Sequence, residues 1–437
     1  MSGSTIAKVM KFELIYREGG GEFHEMQRLL WELQRQTREV LNKSVQIYYQ
    51  WKWKKQQHFE ETGQLLDIYT ELHYRYISSY AYDVLKEKYP SFYRKNLNST
   101  IKTACDKCES SKKDILRGTM SIPSYKRDQP LLLHDTGLSI RRDGTQWFAE
   151  CKLFSAKLVE DLGLKRGQSL VFSIRASDKT QINILEQIEC GNYAIRQSQL
   201  TYEKKKWFLY LTYRFDKLKS ELDPNRILGV DLGVANAFCA SVYGEFDKLM
   251  IPGDEAIETI RRLEQVKYSK LKQARYCGEG RIGHGTSTRV APAYSTRDKI
   301  SNLQKTLNHR WSHAIVHYAL RQGCGIIQME DLSGIKEAND FPLRLQHWTY
   351  YDLQTKIKNK ANEYGIEVRQ VDPQFTSQRC SKCGCIQKEN RPTQAKFCCV
   401  KCGYKTNADY NASQNLALPD IDRIIQEELK QIGANRQ

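Results

Sequence analysis

CSKCGCIQKENRPTQAKFCCVKCGYKTNADYNA runs from Cys380 to Ala412. Cys380-x2-Cys383, fifteen residues, then Cys399-x2-Cys402 is the C-x2-C…C-x2-C spacing of a zinc site. Zinc takes four tetrahedral ligands, and each short Cys-x-x-Cys turn supplies two thiolates with backbone N–H groups close by. Gly384 and Gly403 each follow a second cysteine, where a left-handed turn suits glycine. Cys385 and Cys398 stand beside the ligands but do not form the symmetrical pair. Four cysteines leave no open position, so one Zn²⁺ here is structural rather than catalytic. The stretch then ends, from Asn407 to Ala412, as the start of a helix that Asn407 can cap and that carries a single acid, Asp409. A zinc site standing directly before an isolated aspartate needs a reason.

Two further acids supply one. Ile227-Leu228-Gly229-Val230-Asp231-Leu232-Gly233 is an apolar strand interrupted by one carboxylate, which is costly to bury unless it is paired or bound to a cation. A second strand, Gly325-Ile326-Ile327-Gln328-Met329, ends at Glu330, with Asp331 as a rival next to it. Singly, Asp231 could just end a strand, Glu330 could be solvated, and Asp409 could merely favour a helix N-terminus. Together, two strand acids and one helix acid could converge on a pair of Mg²⁺ ions, the arrangement that activates water and stabilises the leaving oxygen in phosphodiester cleavage.

The bulk properties agree with a polyanionic partner. The 437 residues suffice for two or three domains, and the formal net charge is +17. The 25 tyrosines and 7 tryptophans are mixed with Lys and Arg, as in Tyr48-Tyr49-Gln50-Trp51-Lys52-Trp53-Lys54-Lys55 and Tyr74-Arg75-Tyr76. Such mixtures suit unpaired bases and backbone together, although many of these rings belong in a core. No apolar run is long enough for a membrane span, and the N-terminus lacks a secretory apolar core, so a cytosolic or nucleoid protein is expected. The odd count of 13 cysteines then points to thiols and metal ligands rather than disulfides. Cys105 and Cys108 repeat the Cys-x-x-Cys spacing within a helical stretch that has no matching pair; there, i,i+3 residues simply share a face.

Along the chain, residues 8–16 form a first strand, and apolar positions at helical spacing run from Glu22 to about Lys55 and on to about Leu116, with breaks near Gly63 and Pro90. Beyond Gly118 the period becomes that of strands: Leu138–Ile140 and Trp147–Phe148 flank an Asp143-Gly144 hairpin turn, and Val171–Ile174, Tyr193–Tyr202 and Trp207–Tyr213 follow. The pattern predicts a small β-barrel or sandwich over 1–20 and 118–223 with a helical block, 21–117, inserted. From 224 to 437 strands and helices alternate: strands 227–232, 236–243, 324–329 and 366–371, and helices 255–275, 296–322 and about 350–364, with the paired cysteines after the last strand. The Gly-rich, basic CGEGRIGHGTSTR at 277–289 predicts a mobile loop.

The order Asp, Glu, zinc knuckle, Asp resembles the split RuvC nuclease of type V CRISPR effectors and of transposon-encoded TnpB proteins. It is carried by GVDLGVA (229–235), IQMEDL (327–332), PQFTSQRCSKCG (373–384) and KCGYKTNADYNASQN (401–415). The length, and DILRGTMSIPSYKRD (114–128), are similar to the miniature type V-F effectors. The resemblance implies a multidomain α+β protein: a wedge β-barrel with an inserted helical recognition block, then an RNase H-like α/β nuclease domain with an inserted four-cysteine zinc ribbon. It implies an RNA-guided DNA endonuclease with Asp231, Glu330 and Asp409 on two Mg²⁺ ions and Cys380, Cys383, Cys399 and Cys402 on one Zn²⁺. Its implied partners are a guide RNA, double- and single-stranded target DNA beside a short T-rich motif, and a second copy of the chain on the same guide; no membrane enters. Two rivals stand beside it. An actin-like or sugar-kinase ATPase shares the strand-Asp-Leu-Gly turn but gives no reason for the knuckle. A non-cleaving guided DNA-binding protein would have little use for three acids.

Overall fold

The structure, a computed structural model, describes residues 5–16, 22–161, 169–176, 178–218, 221–233, 236–276, 286–332, 350–372 and 374–434. The chain divides into two compact units, Met1–Asp216 and Lys217–Gln437.

The first unit opens with strand β1 (Thr5–Tyr16). A helical block follows: α1 (Glu22–Thr62), α2 (Ile68–Leu72), α3 (Ile77–Leu85), α4 (Arg94–Ser110) and α5 (Lys112–Leu116). Then come β2 (Leu131–Leu133), β3 (Leu138–Asp143), β4 (Gln146–Cys151), α6 (Ala156–Asp161), β5 (Leu170–Arg175), α7 (Lys179–Glu189), β6 (Ala194–Ile195), β7 (Ser198–Glu203) and β8 (Lys206–Asp216). The strands form one antiparallel sheet in the order β2-β7-β8-β1-β5-β4-β3, with β6 added to β8. β1 lies in the middle because it pairs on both sides, and its alternate residues Phe12 and Leu14 are buried. On α1, Leu30, Leu33, Val40, Leu41 and Val45 fall on one helical face and join Leu97 and Ile101 of α4 and the sheet residues in one core. Two hairpins turn through left-handed backbone: Gly144 between β3 and β4, and Lys204-Lys205 between β7 and β8.

Two helices here escaped the sequence pattern. α6 and α7 lie among strands; α7 is started by Asp178, whose side chain accepts the Gln181 N–H at 2.8 Å. Of the aromatic cluster at 48–53, Tyr48 and Trp51 are core residues and Trp53 is 70 % exposed. Cys105 and Cys108 sit on the buried stripe of α4, where burial pushes their thiols up to about 12 and about 11. They are packing residues, inert as ligands.

The second unit comprises β9 (Asp223–Asp231), β10 (Asn236–Val242), β11 (Lys248–Pro252), α8 (Asp254–Tyr276), α9 (Thr286–Arg321), β12 (Cys324–Glu330), α10 (Tyr350–Glu363) and β13 (Glu367–Val371). It ends with β14 (Lys396–Cys398), β15 (Lys405–Asn407), α11 (Ala408–Leu416) and α12 (Ile421–Ala434). Five strands make a mixed sheet, β11-β10-β9-β12-β13, antiparallel as far as β9 and parallel from β9 to β13. α9 and α10 share a core with it, bringing Trp311, Ile315 and Ala319, and Leu353, Ile357 and Ala361, to Leu228, Val230 and Phe238. α9 begins ten residues before the predicted 296 and contains Pro292. Pro292 is the seventh residue of α9, past the first turn, so it removes one i→i−4 hydrogen bond; α9 is held there alongside α8, for example by the Lys270 ammonium on Thr296 Oγ1 at 3.0 Å. Positions 277–285 of the predicted mobile loop lie outside the described residues.

Candidate active site and metal centre

Asp231 ends β9 and Glu330 ends β12, and the two strands are parallel neighbours with Val230 opposite Met329. The two acids therefore leave adjacent strands at the same, C-terminal edge of the sheet. The third acid is brought there by a close approach of backbones. A Cβ built on Gly229 would lie 2.1 Å from the carbonyl oxygen of Ser413 and 2.4 Å from the nitrogen of Ala417, so only glycine lets α11 rest directly on β9. Asn407 starts α11 as foreseen, its side chain accepting the N–H groups of Asp409 and Tyr410 at 2.9 and 3.1 Å. Asp409 is buried in the first helical turn, and its Oδ2 accepts from Asn236 Nδ2 at 2.6 Å.

Electrostatics tie the three together. Burial, then the charges of Glu330 and Asp409, push the Asp231 carboxyl well above its ordinary range, with Arg391 acting in the opposite direction. Burial also raises Glu330, against a hydrogen bond from the Thr376 hydroxyl and the charge of Arg391. The same three carboxylates, after burial, raise the Tyr350 phenol. A concentration of carboxylate this strong, met by one guanidinium whose Nη2 stands 3.7 Å from Asp409 Oδ1, suits hard divalent cations with oxygen ligands. Asp331, the rival of Glu330, is exposed and points its backbone N–H at the carbonyl of Val371 at 2.7 Å.

Arg391, Asn236, Thr376, Gln354 and Tyr350 are the participants the sequence did not reveal. Thr376 orients the Glu330 carboxylate, and Gln354 Nε2 donates to the Glu330 carbonyl at 2.6 Å. Arg391 lies in the spacer between the two Cys-x-x-Cys pairs, where nothing in the spacing distinguishes one basic residue from the others.

The four predicted cysteines come together, with all ligand atoms within 4.8 Å of one another. Cys380 and Cys402 sulfurs are 3.7 Å apart, and those of Cys383 and Cys399 are 3.6 Å apart. Thiolates about 2.3 Å from the centre of a tetrahedron would stand roughly 3.8 Å apart, so the set fits a four-coordinate metal. Burial opposes ionisation of Cys399, but the backbone N–H groups of Cys402 and Lys401 and the neighbouring thiols bring it down to about 7. Gly384 and Gly403 take the left-handed backbone expected of them.

α11 links the two centres. Every residue in it is buried, although most are polar. The side chains are occupied by backbone. Asn411 donates to the Arg379 carbonyl at 2.7 Å and accepts the Ser381 N–H at 2.9 Å, on the approach to the first knuckle. Asn415 donates to the carbonyls of Thr376 and Arg379, and Gln414 to that of Val242 on β10. Arg379 is buried between Asn415 and Glu428 of α12. One helix thus carries Asp409 on its first turn and grips the cysteine knuckle with the next two.

Comparison with known proteins bears on the whole chain. It is 40% identical over 426 residues to the CRISPR-associated endodeoxyribonuclease Cas12f1 of Sulfoacidibacillus thermotolerans, covering 97% of this chain and 100% of that one. The chain belongs to the Cas12f1 family. The Cas12f1 of Syntrophomonas palmitatica is 33% identical, over 80% of this chain and 78% of its own. The family model described as Cas12f1-like, TNB domain matches residues 350–416, the segment from α10 through the four cysteines, Arg391 and Asp409 to the end of α11. The fold is that of the protein in a cryo-EM structure of a Cas12f1-sgRNA-target DNA complex, with a TM-score of 0.70 at 19% identity over 95% of this chain and 99% of that one. Membership in a family of CRISPR-associated endodeoxyribonucleases displaces the sugar-kinase reading of the Asp231 turn.

Proposed function

We propose that this chain is an RNA-guided DNA endonuclease in which Asp231, Glu330 and Asp409 hold two Mg²⁺ ions at the scissile phosphodiester. The observation that carries the assignment is that two strand ends and one helix start deliver three carboxylates to one place, where the charges of Glu330 and Asp409 both bear on Asp231. The ions would supply a water nucleophile at neutral pH and neutralise the leaving oxygen. The chain's own groups set the geometry: Asn236 and the Asn407 cap fix Asp409, Thr376 fixes Glu330, and Arg391 offers a guanidinium to a phosphate oxygen. The β9–β13 sheet with α11 on it supports an RNase H-like domain over 224–437 with the cysteine ribbon, about 375–405, inserted. The β-sheet of 1–20 and 118–223 is taken as the wedge barrel and the helices of 21–117 as the recognition block.

The four cysteines are assigned to one structural Zn²⁺. Metal analysis of purified protein is expected to give about one zinc per chain, unchanged in Cys105→Ser and lost in Cys399→Ser. A zinc content that falls in Cys105→Ser would contradict the assignment.

The acids hydrolyse any phosphodiester held near them and carry no means of reading sequence, so sequence choice is assigned to base pairing with a guide RNA. The protein itself would read a short T-rich duplex motif, and two copies would share one guide, in the prokaryotic cytosol. Among the described residues no helix is long and apolar enough to cross a membrane. Plasmid cleavage by the purified protein with Mg²⁺ should require the cognate RNA and a matched target. Equal cutting of all plasmids without RNA would leave a plain nuclease. Binding should also be electrostatic: with +17 on the chain, raising salt from roughly 50 to 200 mM should cost about a thousandfold in affinity.

A further inference from the structure

Away from the acidic site, the first unit carries two clefts of about 470 Å³ each, and Tyr202 lines both. The first opens beside α1, with Trp31, Arg38 and Arg127 in its wall. The second follows the β7–β8 hairpin, with Lys205 and Trp207. A chain of rings joins them: Trp31 meets Tyr202 edge-on with centroids 6.0 Å apart, and Tyr202 leans on Trp207 at 5.1 Å. Trp31 is 46 % exposed, whereas Trp207 is buried. The inner ring braces the outer two, which keep apolar surface at the opening.

The cations there divide into those already paired and those open to a ligand. Arg35 is committed to Glu32 and Glu39, and Lys206 to Glu13. Among the described residues the guanidinium groups of Arg38 and Arg127 and the Lys205 ammonium have no carboxylate partner. Asp128 is the one carboxylate in the wall of the first cleft among the described residues. The turn that presents Arg127 is fastened to α1 at both ends. Gln34 Nε2 donates to the Gln129 carbonyl at 2.9 Å, and Asn42 both accepts the Tyr125 N–H and donates to its carbonyl, at 2.9 and 3.0 Å. The cation is therefore held out by a preorganised loop, which lowers the entropy lost when it is used.

We infer that this ring-and-cation groove holds unpaired nucleotides, with bases on the faces of Trp31 and Tyr202 and backbone phosphates on Arg38, Arg127 and Lys205. Clefts of this size admit a nucleotide, and stacking platforms beside unpaired cations are the chemistry of single-strand binding. Bases inside a duplex are already stacked and cannot use such rings. The inference rests on the reading of the chain as a nucleic-acid-guided nuclease.

The test uses the full-length protein without Mg²⁺. Labelled oligo(U) RNA, oligo(dT) DNA and a blunt duplex of the same length are titrated by fluorescence anisotropy against wild type, Trp31→Ala, Trp31→Phe and Arg127→Gln. Trp31→Ala should weaken single-strand binding about tenfold, with Trp31→Phe within about threefold of wild type. Arg127→Gln should lower the salt slope by about one. A 5-iodouracil probe should photo-crosslink to Trp31 or Tyr202 in the wild-type protein, a readout independent of any variant's folding. Tighter binding of oligo(U) assigns the groove to the guide RNA, and tighter binding of oligo(dT) to a displaced DNA strand. Unchanged affinities in both Trp31→Ala and Arg127→Gln, no crosslink at either ring, or equal losses on the duplex would overturn the inference. A wild-type protein that binds none of the probes would instead overturn the proposed function.

Discussion

Asp231→Asn is expected to lose DNA cleavage by about a thousandfold or more while melting at a higher temperature than wild type in Mg²⁺-free buffer at neutral pH. The loss follows from removing a carboxylate from the proposed metal-binding set; Asp409→Ala should lose cleavage to the same extent while keeping guided DNA binding. The gain follows from the raised carboxyl of Asp231, whose ionisation is opposed by burial and by two neighbouring acids. Below the unfolded value of about 3.9, both folded and unfolded states hold the proton and the group has no effect on stability. As pH rises from there through the folded value, the fold retains a proton that the unfolded chain has released, and stability falls. Wild type should therefore lose stability relative to Asp231→Asn over that interval, and added Mg²⁺ should restore it in wild type more than in the variant. Calorimetric melts at acid and neutral pH, with and without Mg²⁺, check this. A variant that melts lower than wild type at neutral pH without metal would show that the three acids do not repel one another. Full cleavage by Asp409→Ala would remove that residue from the site.

Gly229→Ala is expected to cost roughly 3 kcal/mol or more in the second unit, a fall in Tm of about 10 °C, with nearly complete loss of cleavage. The added methyl would meet backbone, not a flexible side chain: Ser413 O at 2.1 Å, Ala417 N at 2.4 Å and Leu416 C at 2.7 Å. None of these three backbone atoms can rotate away, so α11 must lift from β9 and take Asp409 with it. Gly233→Ala is the comparison, since its Cβ would come no nearer than 3.0 Å to the Asn236 carbonyl. Equal stability and activity of Gly229→Ala and wild type, by thermal melt and plasmid cleavage, would mean that the helix does not rest on the strand.

The acids and cysteines were legible in the sequence because each breaks a local rule. Asp231 interrupts an apolar strand, Glu330 closes one, and paired Cys-x-x-Cys turns have few uses besides metal. The partners of the acids obey every local rule. Asn236, Thr376 and Gln354 are ordinary polar residues until the fold sets them beside a carboxylate. Arg391 is one of many basic residues. α7 went unseen because its strongest signal is a single capping aspartate among strand-like segments, and the start of α9 because Pro292 reads as a break until α8 packs alongside. α11 was foreseen from its cap, yet not the task of its asparagines, since a polar helix predicts solvent and this one is wholly enclosed.

That enclosure, with the proposed metal assignment, would tie the nuclease to nutrition. A nine-residue helix of this composition has almost no tendency to persist in water, so its order is borrowed from its surroundings: the sheet under it, through Gly229, Ser241 and Val242, and the chain segments that Asn411 and Asn415 clasp. Those segments lead into the cysteine knuckle, whose thiolates repel one another unless an ion sits between them. On the proposed zinc assignment, a cell short of that metal would make protein with all three acids present but with one side of the helix that carries Asp409 left without its support. If both assignments hold, scarcity of an ion that never meets the substrate would loosen the seat of one of the three acids without touching any of them.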